Sequence, residues 1–249
     1  MVCLIKLYEP PLPTQVGARL SGLVAGLFPS FIPKTDQERV QNLTGMLWGI
    51  GHTVIYTDSE GNEIVKEIPP APKRKYEVSE KADGSSGTFY NYNDSFGVCS
   101  RNLELKEDDE NAFWSIAHKY NLKEKLTGRN VAIQGELCGE GIQKNKYRLK
   151  GLELYVFDIY DIDKRKYFSP EERANFLSSV APELKTVPIL ERNFEIPDSI
   201  NELLEYAQGP SSIYPQQERE GLVFKEESEA LDRFSFKAIS NSFLLKEKD

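Results

Sequence analysis

The chain has 249 residues, 28% of them charged, and a formal net charge of -8 at pH 7, enough length to bury one sizeable core. The acidic balance excludes broad non-specific binding to nucleic acid, which draws its affinity from neutralised phosphates, so any such contact must be a local basic patch such as Lys73-Arg74-Lys75 or the run from Lys144 to Lys150. No apolar run approaches the ~20 residues of a membrane span, and the start Met1-Val2-Cys3-Leu4-Ile5-Lys6 lacks the form of a signal peptide, so a soluble cytoplasmic protein without membrane contact is expected.

Residues 1–34 are rich in proline and glycine, with apolar segments at Leu20 to Leu27 and Phe28 to Ile32, the composition of an irregular arm packed on a core. Thr35-Asp36-Gln37-Glu38 is a capping box and predicts a helix from Asp36 to Trp48, stopped by Gly49 and Gly51. Val54 to Tyr56 and Ile64 to Ile68 read as a hairpin with a longer loop, and Pro69-Pro70-Ala71-Pro72 as an extended link. Tyr76 to Lys81 alternates as a strand does, and Gly84 to Gly87 is turn chemistry. Thr88 to Tyr92 and Phe96 to Ser100 form a second hairpin around Asn93-Asp94. The acidic run Glu107 to Glu110 opens a helix whose Phe113, Ile116, Ala117 and Tyr120 share a stripe, with His118 beside it as a surface or half-buried side chain.

Val131 to Leu137 and Leu152 to Tyr160 are further strands, Ser169-Pro170-Glu171-Glu172 and Ser199-Ile200-Asn201-Glu202 are capped helix starts, and Gly209-Pro210 ends the second of these helices. Leu222 to Lys225 and Phe234 to Ile239 are the last strands. The pattern is α+β with largely antiparallel sheets, one domain over residues 1–249 in which 1–75 form an arm, a helix and a hairpin on the core. Cys3, Cys99 and Cys138 are odd in number and widely spaced, which suits reduced thiols and gives no zinc pattern; Cys138, near Glu136, reads as a small buried hydrophobe.

The chemistry centres on the end of the strand that carries Lys81. Side chains two apart on a strand share a face, which puts Lys81 and Asp83 side by side. Alone, Lys-x-Asp-Gly reads first as a surface ion pair before a turn, and only second as a nucleophilic lysine. The parts that follow distinguish the two readings: Ser100-Arg101-Asn102, Gln134-Gly135-Glu136, Tyr155-Val156-Phe157-Asp158, Glu220-Gly221-Leu222-Val223-Phe224-Lys225 and Ser235-Phe236-Lys237.

In this order the set resembles motifs I, Ia, III, IIIa, IV and V of the covalent nucleotidyltransferases, the superfamily of ATP-dependent DNA and RNA ligases and mRNA capping enzymes. The stretches from Phe28 to Asn42 and from Phe236 to Lys246 look like the catalytic domain of the fifth RNA ligase family in particular. Those enzymes place an OB domain before the catalytic one, for which the stretch before Lys81 is too short. The resemblance implies a nucleotidyltransferase (ATP-grasp-like) fold of antiparallel sheets flanked by helices around a central nucleotide pocket. It also implies an ATP-dependent RNA ligase that forms lysyl-AMP at Lys81, passes AMP to an RNA 5′-phosphate and seals that end to a 3′-hydroxyl. The chain is expected to act as a monomer, with RNA gripped further by an accessory domain or partner.

The residue roles follow. A lysine amine attacks phosphorus only when neutral, which calls for burial or nearby positive charge; Lys81 is the expected nucleophile. Lys237 is suited to grip α-phosphate oxygens as a point charge. Asp83, Glu136 and Glu220 are expected to converge from separate strands, and three carboxylates in a pocket for a polyanionic nucleotide make sense around Mg²⁺ or Mn²⁺. The glycines beside two of these acids, Gly135 and Gly221, are expected to permit close ligand approach. Arg101 binds the ribose or a phosphate, Phe157 either stacks on adenine or packs in the core, and Glu80 helps define the adenine pocket. Many ligases read Lys-x-Lys in motif V where this chain has Ser235, so one phosphate contact is either missing or supplied from elsewhere, by Lys225 or Lys246. DNA sealing, GMP transfer to RNA caps, and a silent nucleotide- or RNA-binding module are the rival functions.

Overall fold

A computed structural model describes residues 23–49, 52–57, 61–68, 74–227 and 233–246. The chain enters as a short strand, β1 (Val24–Leu27), and then runs extended to β2 (Glu38–Arg39), a turn of 3₁₀ helix at Val40–Asn42 and the single-turn α1 (Thr44–Leu47). The continuous helix expected from Asp36 to Trp48 does not form. Its capping residue Thr35 is engaged elsewhere, with its hydroxyl 2.5 Å from that of Ser86, and Glu38 and Arg39 instead pair in parallel with Phe236 and Lys237. Tertiary strand pairing thus overrides a local helix signal. The expected arm before residue 35 lies outside the described residues up to residue 22. Beyond that point it packs on the core through Ile32, which is buried with Tyr90 and Tyr160.

Next come the hairpin strands β3 (His52–Thr57) and β4 (Glu63–Ile68), which pair with each other as a two-stranded sheet. β5 (Tyr76–Glu80) is buried at every residue, which explains why its polar members need partners. At its end the chain leaves one sheet and enters another: residues Lys81 to Gly84 carry it from β5 into β6 (Ser85–Tyr92). β6 turns through Asn93 and Asp94, both left-handed at φ 49° and 58°, into β7 (Ser95–Cys99), as an Asn-Asp type I′ turn requires. β8 (Leu103–Leu105) follows, then α2 (Ala112–Lys119), α3 (Leu122–Leu126), β9 (Val131–Gly139) and β10 (Leu152–Asp161). α2 starts one step after the acidic run, capped by Asn111, whose side-chain oxygen accepts from the Phe113 and Trp114 amides at 2.9 and 3.3 Å.

The remaining elements are β11 (Lys166–Tyr167), α4 (Pro170–Val180), β12 (Lys185–Thr186), β13 (Ile189–Phe194), α5 (Ile200–Tyr206), β14 (Gly221–Glu226), β15 (Ser235–Ile239) and α6 (Asn241–Lys246). Ser169 caps α4 in a reciprocal capping box with Glu172, as its sequence predicts. The short elements β8, α3, β12, β13 and α6 carry no periodic signal long enough to read from sequence.

One sheet runs β1-β8-β7-β6-β9-β10-β11 with β12 also on β10, and a second runs β13-β5-β14-β15-β2. Both are antiparallel except for the β10–β12 and β15–β2 pairs, so the mixed α+β, antiparallel-rich expectation holds. The first sheet buries Phe89, Ile133, Leu154 and Ile159 against α2, α3 and α4. The second buries Tyr76, Val78, Leu222, Phe224 and Phe236 against α5 and the 40–48 segment. Phe224 and Phe236 stack at 4.9 Å between ring centroids with no exposure. Truncating Phe224→Ala is expected to destabilise the protein by about 3–5 kcal/mol, read as a lower urea midpoint with an unchanged slope.

Candidate active site

The two sheets leave between them a cavity of about 610 Å³, within the range of small-molecule sites. Its walls come from both. Ser79, Glu80, Val223, Lys225 and Lys237 line it from the second sheet, and Ser86, Glu136 and Phe157 from the first. Lys81 and Asp83, on the crossover itself, lie where the two walls meet, and Arg101 closes the cavity from the turn before β8. Every site residue expected from sequence whose side chain is described therefore lines one cavity; Lys246 is the last residue of α6, and its side chain lies outside what the structure describes.

Register explains the convergence. Lys81 N–H donates to the Gly221 carbonyl at 2.9 Å, which sets Glu220 opposite the end of β5, and Val223 lies across from Lys237. The Lys81 ammonium donates to Glu220 Oε2 at 2.6 Å, with both side chains largely enclosed. Burial raises the Glu220 carboxyl above its usual range, against the pull of Lys81. Glu136 accepts from the Gly84 amide at 3.2 Å. Its carboxyl is pushed up to about 7, chiefly by burial, with Glu220 and Asp83 adding to the rise and Lys81 opposing it. Asp83 is ion-paired with Lys146. Lys237 is held below the usual lysine range first by burial and then by the nearby charges of Lys81 and Arg39, so cations are packed closely enough on this side of the cavity to favour an anion between them.

The three carboxylates face one cavity but do not form a ready cage: among the described residues no group of three or more His, Cys, Asp or Glu side chains is disposed to hold a metal ion. Asp83 and Glu220 each hold an ammonium instead. Their donor chemistry suits a hard divalent cation, and such a cation would take oxygens now given to lysines. The glycines beside the acids also meet neighbouring strands closely: a Cβ on Gly221 would sit 2.1 Å from the Ala238 carbonyl, and one on Gly135 would sit 2.9 Å from the Tyr155 carbonyl, so both positions need glycine for close strand approach.

A buried charge network under Phe157 escaped the sequence reading. The β9–β10 register slips between Val156 and Asp158, so Phe157 is the extra residue of a bulge, a device that re-aims side chains and frees a carbonyl. That carbonyl accepts from Lys225 Nζ at 2.6 Å and from Arg173 at 3.4 Å. The Lys225 ammonium also meets Asp158 at 3.0 Å and lies 5.2 Å from the Phe157 ring centre. Asp158 accepts a second cation, Arg233, at 2.9 Å, and Arg173 donates to Glu77 at 2.6 Å. Lys225 thus underlies the aromatic wall, its ammonium engaged by Asp158 and the bulge; burial lowers it to about 8. The available signal was a lysine and an aspartate inside otherwise apolar strands, which must be paired if buried.

The other expected residues are held as follows. The Glu80 carboxylate accepts from the Ser211 hydroxyl at 2.5 Å and the Ser212 amide at 2.6 Å, tying the 207–220 segment to β5. Arg101 is ion-paired with Asp36, and its Nε lies 3.3 Å from Oδ2. Ser235, standing where many ligases carry a lysine, donates to Gln37 Oε1 at 2.5 Å and so fixes a residue of the cavity wall. Cys138 is buried, as expected.

A family model described as RNA ligase matches residues 74–239. No curated protein matches the chain. Among solved structures the chain is similar to Naegleria gruberi RNA ligase. An arginine-to-alanine variant of that enzyme with ATP and Mn is 41% identical at a TM-score of 0.77, over 98% of this chain and 65% of that one. A lysine-to-methionine variant with AMP and Mn is 42% identical at a TM-score of 0.76, over 98% and 65%, and the enzyme with PPi gives the same figures. The chain therefore spans 65% of the length of the enzymes it matches.

Two outcomes are expected of this arrangement. Lys225→Met strips Asp158 of one counter-charge and the Phe157 carbonyl of the nearer of its two donors, and is expected to cost about 3–5 kcal/mol in chemical unfolding. Glu136 binds a proton in the folded state at pH values where the unfolded chain has released it. Its presence therefore lowers stability as pH rises from the ordinary glutamate value toward about 7. The stability advantage of Glu136→Gln over the parent, measured without metal, is expected to grow across that window and level off above it.

Proposed function

The chain belongs to the RNA ligase family, and on that premise we propose that it is an ATP-dependent RNA ligase working through a lysyl-AMP intermediate at Lys81. The observation that carries the reading is the gathering of Lys81, Asp83, Glu136, Glu220 and Lys237 around one cavity between two sheets. The sheets are read as a nucleotidyltransferase, ATP-grasp-like fold, and residues 1–249 as one adenylyltransferase domain with residues 1–75 packed on it. The complexes of the similar Naegleria enzyme with ATP and Mn, with AMP and Mn, and with PPi support the same substrates here.

In the first step the Lys81 amine attacks the α-phosphorus of ATP. The new N–P bond forms as the bond from that phosphorus to the bridging oxygen breaks, and pyrophosphate leaves with the electron pair. Such a transfer depends mostly on positioning and charge neutralisation. Lys237 holds α-phosphate oxygens on the side where its charge is crowded by Lys81, and Arg101 offers a further cation at the ribose or phosphate end. Phe157, backed by Lys225, supplies a flat face for adenine. Asp83, Glu136 and Glu220 are the oxygen donors for Mg²⁺ or Mn²⁺, which neutralises phosphate charge when bound. For Lys81 to become nucleophilic, its ammonium must lose a proton, to water or a neighbouring carboxylate, as the ion pair with Glu220 opens. An RNA 5′-phosphate oxygen then attacks the AMP phosphorus, breaking the N–P bond and returning the Lys81 amine, and a 3′-hydroxyl, losing its proton, attacks the RNA 5′-phosphorus, joining the ends and releasing AMP.

The test is incubation of the protein with α-labelled ATP or GTP and Mn²⁺, followed by denaturing electrophoresis. Acid-labile label from ATP that is absent in Lys81→Ala and reduced at least tenfold in Lys237→Ala is the expected outcome, with nucleotide binding by Lys81→Ala retained. Full labelling of Lys81→Ala would rule out the assigned nucleophile. Label from GTP alone would identify a capping-type transferase, and sealing of nicked DNA but not RNA would identify a DNA ligase.

A further inference from the structure

The basic run between Lys144 and Lys150 does not form a uniform surface patch. It occupies the loop from β9 to β10, closed by the Glu140 amide on the Gly151 carbonyl at 3.1 Å and braced by Asn145, which both accepts from the Leu149 amide and donates to the Leu149 carbonyl. Gln143, Lys144, Asn145 and Arg148 all take left-handed backbone conformations, with φ between 43° and 58°, each a cost of order 1 kcal/mol for a residue with a Cβ. The backbone contortion turns one lysine inward. Lys144, Arg148 and Lys150 face solvent, whereas the Lys146 side chain is only 19% exposed and its ammonium is bonded to the Asp83 carboxylate. The next residue, Tyr147, is buried and its hydroxyl accepts from the Asp83 amide at 2.7 Å, so side chain and backbone of Asp83 are held by neighbours in one loop. The Lys146 ammonium also lies 4.7 Å from the centre of the buried Phe243 ring, from α6.

We infer that Lys146 is the built-in counter-cation of the metal site: its ammonium neutralises Asp83 when no divalent ion is present and competes with the ion for that carboxylate. The inference rests on the reading of Asp83, Glu136 and Glu220 as metal-binding. Two cations brought to one carboxylate in a part-enclosed cavity repel each other and compete for its charge, so part of what the ammonium gains there is subtracted from the affinity for the metal. Lysine suits the role, being a compact charge on a flexible stem, and the Phe243 ring gives the displaced ammonium an uncharged face to rest on. With Lys81 on Glu220, the loop lysine completes a pair of ammonium–carboxylate contacts at the cavity.

The experiment is titration of the whole protein with Mn²⁺ in the absence of nucleotide, following free Mn²⁺ by its paramagnetic resonance signal. Lys146→Met is expected to bind Mn²⁺ roughly tenfold more tightly than the parent, as an unopposed Asp83 seeks a cation, and Lys146→Gln to do the same should the methionine variant fold poorly. In an Asp83→Asn background the same substitution is expected to change nothing. Unchanged or weaker affinity in Lys146→Met, with Mn²⁺ still bound by the parent, would overturn the counter-cation role alone. Absence of Mn²⁺ binding in both parent and variant would overturn the metal reading and the inference with it.

Discussion

The ion pair between Lys81 and Glu220, at 2.6 Å, is the contact on which the cavity depends. Lys81 belongs to the crossover between sheets and Glu220 to the approach to β14, and both backbones are fixed by main-chain hydrogen bonds: Lys81 N–H to the Gly221 carbonyl, and Ser240 N–H to the Glu220 carbonyl. Opposite charges in a partly dry space attract strongly but are costly to separate. The pair therefore ties the two walls of the cavity together at the crossover. Asp83, also on the crossover, makes a second such pair with Lys146.

The second constraint is the bulge at Phe157. A regular β10 would have offered its carbonyl to the neighbouring strand; the slip leaves it for Lys225 and Arg173. Lys225, Asp158, Arg233 and Arg173 then form a charge network that touches the aromatic wall of the cavity from behind. Buried charges of this kind add little net stability but are expensive to break singly, which makes the position of the Phe157 ring a property of the whole network. The β-bulge thus links packing to function, since the wall of the cavity is only as well placed as the charges beneath it.

Local expectations failed where distant parts of the chain competed for the same backbone. The Thr35 capping box is genuine in its residue pattern, yet β15 offers Glu38 and Arg39 strand pairing, and the helix is reduced to a turn of 3₁₀ and α1. The glycines beside Glu136 and Glu220 pointed to a crowded approach, but only the three-dimensional arrangement shows that the crowding comes from neighbouring strands. Lys146 carried no motif; a run of lysines in a loop ordinarily faces water, and its inward turn depends on left-handed backbone at four neighbours.

The sequence alone determined the kind of chain this is, because alternation along the strands, the capping of α4 and the order of the Lys81, Glu136, Glu220 and Lys237 stretches are local and survive without coordinates. It also determined which residue types meet at the site, since the same motifs mark strand ends that a two-sheet fold brings together. Tertiary structure decided the pairings: which carboxylate holds which lysine, which cation backs Phe157, and which strand captures the 35–39 segment. Those outcomes turn on register, on a one-residue slip and on the burial that makes an unpaired charge costly, quantities that arise only when residues far apart in the chain are brought side by side.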